Sequence, residues 1–218
     1  DLVEGHVDLN ALTTLASPLP RAHGNHHLLP PAQRIAIASD RAFAFAYPHI
    51  LQDWRAQGAE ILPFSPLADE HVPESDFVFL PGGYPELYAG QLAAASTFLS
   101  SLRQHGSDKP IYGECGGYMT LGDGLIDASG TRHKMAGLLA LETSFETRKL
   151  HLGYRSLTAA QGLFKGNWTA HEFHYASTIR AKGTPLFQAK DATGAELNDM
   201  GLQAGHISGS FAHIIDAA

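Results

Sequence analysis

The only cysteine of this chain, Cys115, stands in Gly113-Glu114-Cys115-Gly116-Gly117, directly after the apolar run Lys109-Pro110-Ile111-Tyr112. A strand that ends in such a glycine frame and passes at once into a helix makes a nucleophile elbow, here the thiol counterpart of G-x-S-x-G. Glycines permit the strained turn and a close approach of substrate. The helix start offers N–H groups and partial positive charge, which lower a thiol pKa from about 8.5 and can hold a tetrahedral oxyanion. Without that frame a lone cysteine is at least as often a small buried hydrophobe. A second turn, Leu80-Pro81-Gly82-Gly83-Tyr84-Pro85, is by itself only a tight turn, but beside Cys115 it gains meaning. Amides of Gly82 or Gly83, with that of Gly116, would form an oxyanion hole worth about 3 kcal/mol per donor. The thiol also needs a base, for which His171, His174, His206 and His213 are candidates. The chemistry implied is acyl transfer through a thioester.

These loops need a scaffold. Residues 34–38 form a short apolar run, 47–57 read as a helix with Pro48 in its first turn, and 60–63, 76–80 and 109–113 offer further strands. A long helix is expected over 86–104, with Leu87, Leu92, Phe98, Leu99 and Leu102 on one face. Strands apolar on both faces and separated by helices predict a mostly parallel sheet with helices on both sides. In such a sheet ligands bind outside the carboxyl ends of the strands, where both glycine turns fall. Beyond Leu125 the segments shorten, and 137–141, 152–157, 168–175, 177–181 and 201–208 read as later strands, some antiparallel. Residues 1–16 read as a short helix with Val3, Val7, Leu9, Leu12 and Leu15 apolar, too short to own a core. A Pro/Gly/His-rich linker follows to Pro31. The expected division is therefore 1–31, a remnant of a preceding domain plus linker, and 32–218, the catalytic domain.

At 218 residues the chain has room for one domain of ordinary size with a substantial core. A net charge of −7, with no Lys/Arg run, argues against a nucleic-acid or anionic-membrane surface. No stretch is long and apolar enough to span a bilayer, and the start lacks a signal-peptide layout. One cysteine cannot form an internal disulfide, which suits a reducing compartment, and a cytoplasmic location is expected.

Five segments together carry a resemblance: Phe79-Leu80-Pro81-Gly82-Gly83-Tyr84-Pro85, Gly113-Glu114-Cys115-Gly116-Gly117-Tyr118-Met119, Lys149-Leu150-His151-Leu152-Gly153-Tyr154-Arg155, His171-Glu172-Phe173-His174-Tyr175 and Gly209-Ser210-Phe211-Ala212-His213. In this order, from about Arg34 to the end, the chain resembles the C-terminal domain of cobyrinic or hydrogenobyrinic acid a,c-diamide synthases, class I glutamine amidotransferases of cobalamin biosynthesis. The resemblance implies a flavodoxin-like α/β fold and hydrolysis of glutamine to glutamate and ammonia. It makes Cys115 the nucleophile and His213 its base. It also implies a preceding synthetase domain of the same polypeptide that binds the corrinoid and uses ATP and Mg²⁺. This chain has no G-x-x-x-x-G-K-[ST] and no cofactor of its own is expected. Better-known class I glutaminases place a Glu two residues after the catalytic His, where this chain has Ile215. The third member is therefore open, with Asp216 and Glu172 as candidates; corrinoid relatives resemble a Cys–His dyad.

Of the remaining polar residues, Arg148 and Arg155 are candidates to clamp the glutamine α-carboxylate, although a solvated arginine is the commoner case. Glu172 and His174 share a strand face and either line the mouth of the site or hydrogen-bond within the sheet. His171-Glu172-Phe173-His174 is not H-E-x-x-H, and no metal is expected. Phe43, Phe45 and Tyr47 read as packing or interface residues. Two rival functions stay open: another cysteine hydrolase or peptidase on a similar sheet, and a catalytically silent docking domain.

Overall fold

The computed structural model describes residues 5–18 and 28–218. Val3 and residues 19–27 of the expected linker lie outside the described residues. Helix α1 (Leu9–Leu15) starts where the Asp8 carboxylate accepts the amides of Asn10 and Ala11, and all of its residues are exposed.

The scaffold begins at β1 (Arg34–Ala38), followed by α2 (Pro48–Ala56), β2 (Glu60–Phe64) and β3 (Phe77–Leu80). The expected single helix over 86–104 is broken into a 3-10 turn (Pro85–Tyr88), α3 (Ala89–Ala94) and α4 (Ser96–His105). The break falls at Ala95, whose ψ of 76° is not helical, and α4 restarts because Oδ1 of Asp69 accepts the Phe98 amide at 2.8 Å. A cap supplied from outside the helix decides this boundary, which hydrophobic spacing alone does not register. Then come β4 (Ile111–Glu114) and α5 (Gly116–Leu121).

The second half of the chain contributes β5 (Gly124–Ile126), β6 (Arg132–Lys134), β7 (Ala140–Ser144), β8 (His151–Ala159), β9 (Gly166–His174), β10 (Ser177–Lys182), β11 (Gln188–Asp191), β12 (Leu202–Ala204), β13 (Ile207–Ser210) and β14 (Ala212–Ala217). The strand expected over 137–141 starts at Ala140, because the amides of Leu138 and Leu139 turn back to the Leu121 carbonyl. The strand expected over 201–208 is a hairpin, β12 and β13, turning at Gly205 with φ 58°.

The central sheet runs in the order β12-β13-β4-β3-β1-β2, and β2, β1, β3, β4 and β13 are mutually parallel. That is the flavodoxin-like 2-1-3-4-5 order, with a late strand in fifth place and its switch point between β1 and β3. Side-chain alternation sorts the two faces. Ala36, Ala38, Val78, Leu80 and Ile111 pack with α3, α4 and α5, whereas Ile35, Ile37, Phe77, Phe79 and Tyr112 face α2 and a second sheet. This second sheet, β11-β8-β9-β14, is antiparallel throughout, and a third, β10-β7-β5-β6, borders the first core. Both faces thus carry helices, and each also meets one of the two smaller sheets.

Candidate active site

Cys115 follows the last residue of β4 and has φ 48° and ψ −99°, a conformation that costs an L-residue on the order of 1–3 kcal/mol. The surroundings impose it. The Cys115 amide donates to the Ser210 carbonyl at 2.8 Å, tying the bend to β13, and the Gly117 amide donates to the Pro81 carbonyl at 3.1 Å. A Cβ on Gly117 would overlap the Leu80 carbonyl, so only glycine lets α5 pack this closely on β3. A Cβ on Gly116 would stand 3.0 Å from the Gly83 nitrogen and 2.9 Å from Cδ of Pro85. The two glycine turns therefore meet beside the sulfur of Cys115, a residue 5% exposed, and Sγ lies 4.0 Å from the Phe173 carbonyl oxygen.

Topology explains how His213 arrives there. Because β13 runs parallel to β4, it reaches the same carboxyl edge; the chain then crosses through Phe211 into the second sheet, where His213 pairs with His171 of β9. The imidazole is buried and lies near enough to Cys115 for the thiol to raise its pKa. Its Nδ1 lies 3.1 Å from Oε1 of Glu114, and both of those atoms are buried with no well-aligned hydrogen bond to any other group, so the contact is a close, off-axis ion pair. Burial opposes the imidazolium, but the adjoining thiol of Cys115 and the carboxylate of Glu114 outweigh it and push the His213 pKa up to about 10. On its other side the ring stacks on His171, with centroids 4.8 Å apart and planes 1° from parallel. The Tyr47 hydroxyl is hydrogen-bonded to Nε2 of His171. Burial and the neighbouring His213 hold the His171 pKa below its ordinary value, while burial and the charges of Glu114 and Cys115 push Tyr47 up to about 12. A cavity of about 390 Å³ lined by Phe45, Tyr47, His171, Phe173 and His213 opens here.

The structure therefore brings Cys115, His213, Gly83 and Gly116 together, with Gly82 against the imidazole. Other sequence candidates lie elsewhere or are engaged. His206 is exposed at the opposite edge, its carbonyl accepting the Ile111 amide at the start of β4. Arg148 is exposed on the segment before β8, near enough to Glu86 to lower its carboxyl pKa against the larger raising effect of burial. Oε2 of Glu172 accepts from Nε and Nη2 of Arg155, at 3.0 and 2.8 Å, and Oε1 lies 2.8 Å from Nε2 of His174. Arg155 thus serves a buried protein carboxylate, and Glu172 is committed away from His213. The Asp216 carboxylate accepts the Ala217 amide. Glu114 was not among the sequence candidates; its signal was its place next to the nucleophile, on the strand face it shares with Tyr112.

His151, Glu172 and His174 place potential ligand atoms within 4.8 Å of one another. Their arrangement fits an ion-pair network better than a metal centre. The rings of His151 and His174 are stacked 4.6 Å apart and 7° from parallel, so their in-plane lone pairs cannot converge on one ion, and the carboxylate already holds Arg155.

Comparison with known proteins agrees with this geometry. Residues 34–218 match the model of the CobB/CobQ-like glutamine amidotransferase domain. The chain is 49% identical over 220 residues to a hydrogenobyrinate a,c-diamide synthase of Rhodobacter capsulatus, covering 99% of this chain and 51% of that protein. It is 50% identical over 226 residues to the protein of the same name from Brucella anthropi, covering 99% and 51%. The chain thus spans about half the length of the curated relatives it matches. Two solved structures share the fold: one described as a glutamine amidotransferase (TM-score 0.55, 13% identity, 82% of this chain and 89% of that one), and a glutamine amidotransferase from Thermotoga maritima (TM-score 0.52, 15% identity, 87% and 76%). On the family match and the identity across nearly its whole length, this chain belongs to the CobB/CobQ-like glutamine amidotransferase domain family.

Proposed function

We propose that this chain hydrolyses glutamine to glutamate and ammonia through a Cys115 thioester, and that the ammonia serves a,c-diamidation of a corrinoid acid in cobalamin biosynthesis. The observation that carries the reading is the thiol of Cys115 on a positive-φ elbow, beside the buried imidazole of His213 and close enough to raise its pKa. His213 takes the Sγ proton, and the thiolate attacks the side-chain amide carbon of glutamine. The Gly83 and Gly116 amides, with Gly82 next to them, hold the oxyanion. The imidazolium then protonates the departing nitrogen as the C–N bond breaks, and water, deprotonated by the same imidazole, hydrolyses the thioester.

The relatives' length supports a second half that is absent from this sequence, a synthetase that binds the corrinoid and uses ATP and Mg²⁺. Residues 1–31 are the run-in from that half and 32–218 the glutaminase, a division favoured by a family match that starts at residue 34. The names of the relatives favour hydrogenobyrinate over its cobalt-containing counterpart as acceptor. A single free thiol fits a cytoplasmic location, and no helix among the described residues is long and apolar enough to cross a membrane. The test is amidation by the full polypeptide with glutamine or with ammonium as nitrogen source. Cys115→Ala should abolish glutamine-driven amidation and keep ammonium-driven amidation; retention of the glutamine-driven reaction refutes the proposal.

A further inference from the structure

Glu114 precedes the nucleophile by one residue, and its side chain leaves β4 on the Tyr112 face, toward the second sheet that delivers His213. It is 3% exposed. A carboxylate so placed needs compensation. Oε2 accepts the Ile214 amide at 3.1 Å, and Oε1 faces Nδ1 of His213. Among the described residues, His213 is the one cationic side chain within ion-pair distance of Glu114. The carboxylate is thus fixed at one oxygen by the backbone of the residue that follows His213 and aimed at the imidazole with the other.

We infer that Glu114 is the positioning carboxylate of this glutaminase, filling from the nucleophile's own strand the role that its Ile215 cannot fill. The inference rests on the glutaminase reading above. With Oε1 3.1 Å from Nδ1, the charge of the carboxylate favours a proton on that nitrogen and leaves Nε2 in the acceptor state that a base requires. When Nε2 gains the proton of Cys115, the carboxylate compensates the charge. The other titratable groups facing His213 are Cys115 from the elbow, His171 from β9 and Tyr47 at the start of α2. His171 is held toward its neutral form by burial and by His213, and Tyr47 is pushed up by burial. The compensating carboxylate is therefore Glu114.

Glu114→Gln keeps the size and an acceptor for the Ile214 amide, but turns its NH₂ toward Nδ1. Nδ1 then becomes the acceptor, and Nε2–H points at the sulfur as a donor. The corresponding carboxylate-to-amide change in serine-protease triads lowers kcat about 10⁴-fold. For the full chain we expect glutamine hydrolysis with kcat down by at least about 100-fold, KM within about threefold, and an alkaline limb of kcat/KM that moves to lower pH because the imidazolium has lost its counter-charge. Glu114→Asp, which keeps the charge, should recover at least about tenfold in kcat over the glutamine variant. If kcat of Glu114→Gln stays within about fivefold of wild type with an unmoved alkaline limb, or if Asp and Gln are equally impaired, the carboxylate only packs and the inference falls. If Glu114→Gln does not fold, Glu114→Ala decides: a fall in kcat at constant KM with the alkaline limb moved to lower pH supports the role, and wild-type behaviour overturns it. Cys115→Ala and His213→Gln run in parallel separate the two levels. Hydrolysis surviving in those variants overturns the glutaminase reading itself, whereas its loss there but not in Glu114→Gln overturns this inference alone.

Discussion

Replacing Gly82 by alanine sets one methyl group against the imidazole of His213. A Cβ built there overlaps Cε1 of the ring and stands 3.3 Å from Nε2 and 3.4 Å from Nδ1. Carbon atoms settle about 3.5–4.0 Å apart, so the ring must withdraw by about 1 Å. It has little room to do so, since His171 is stacked on it and Glu114 holds Nδ1. A misplacement of about 1 Å at a reacting group costs on the order of 100-fold in rate, equivalent to about 2.7 kcal/mol of transition-state stabilisation. The backbone at Gly82 is not in the positive-φ region, so alanine should not unfold the chain. Steady-state glutamine hydrolysis should show kcat down about 100-fold, with overpacking costing about 1–3 kcal/mol of stability and the chain still folded. Gly90→Ala is the matched control: it lies in α3, its Cβ would meet the nearest atom at an ordinary 3.5 Å, and it should keep full activity while gaining about 0.5–1 kcal/mol of stability. Gly82→Ala activity within twofold of wild type would refute the placement of His213 and the reasoning built on it.

Arg155→Ala strips a buried carboxylate of its guanidinium and should destabilise the fold by about 3 kcal/mol, roughly 6–12 °C in melting temperature, with little change in KM for glutamine. Burial raises the Glu172 pKa, but the hydrogen bonds and charges of His174 and Arg155 bring it below its ordinary value. That stabilisation is therefore present above about pH 4.5 and fades as the pH falls through the depressed pKa; urea midpoints of wild type and variant should converge in acid. A large KM effect without a stability change would restore Arg155 as a substrate clamp. Asp69→Ala removes the external cap of α4 and should cost about 1 kcal/mol in urea denaturation, and no loss would mean that Phe98 does not depend on it.

Much of the scaffold was legible because both-face apolar strands such as 34–38 and 76–80 leave no other way to bury their side chains. The elbow was legible for a local reason: three glycines around one cysteine specify a turn that close packing on Leu80 and Pro85 demands. What was hidden depends on contacts between distant segments. The break at Ala95 follows from a cap donated by Asp69, and the pairing of Arg155 with Glu172 from the register of β8 against β9. Glu114 stood within the motif, yet its partner lies about a hundred positions onward in another sheet, and no spacing rule links them.

The central claim concerns one sulfur and one substrate, so intact-mass measurement after treating the chain with a glutamine-mimicking electrophile tests it most directly. The expected result is a single adduct that peptide mapping places on Cys115, suppressed by excess glutamine and missing from Cys115→Ala. A thiol that stays unmodified, or an adduct on another residue that glutamine does not suppress, would contradict it.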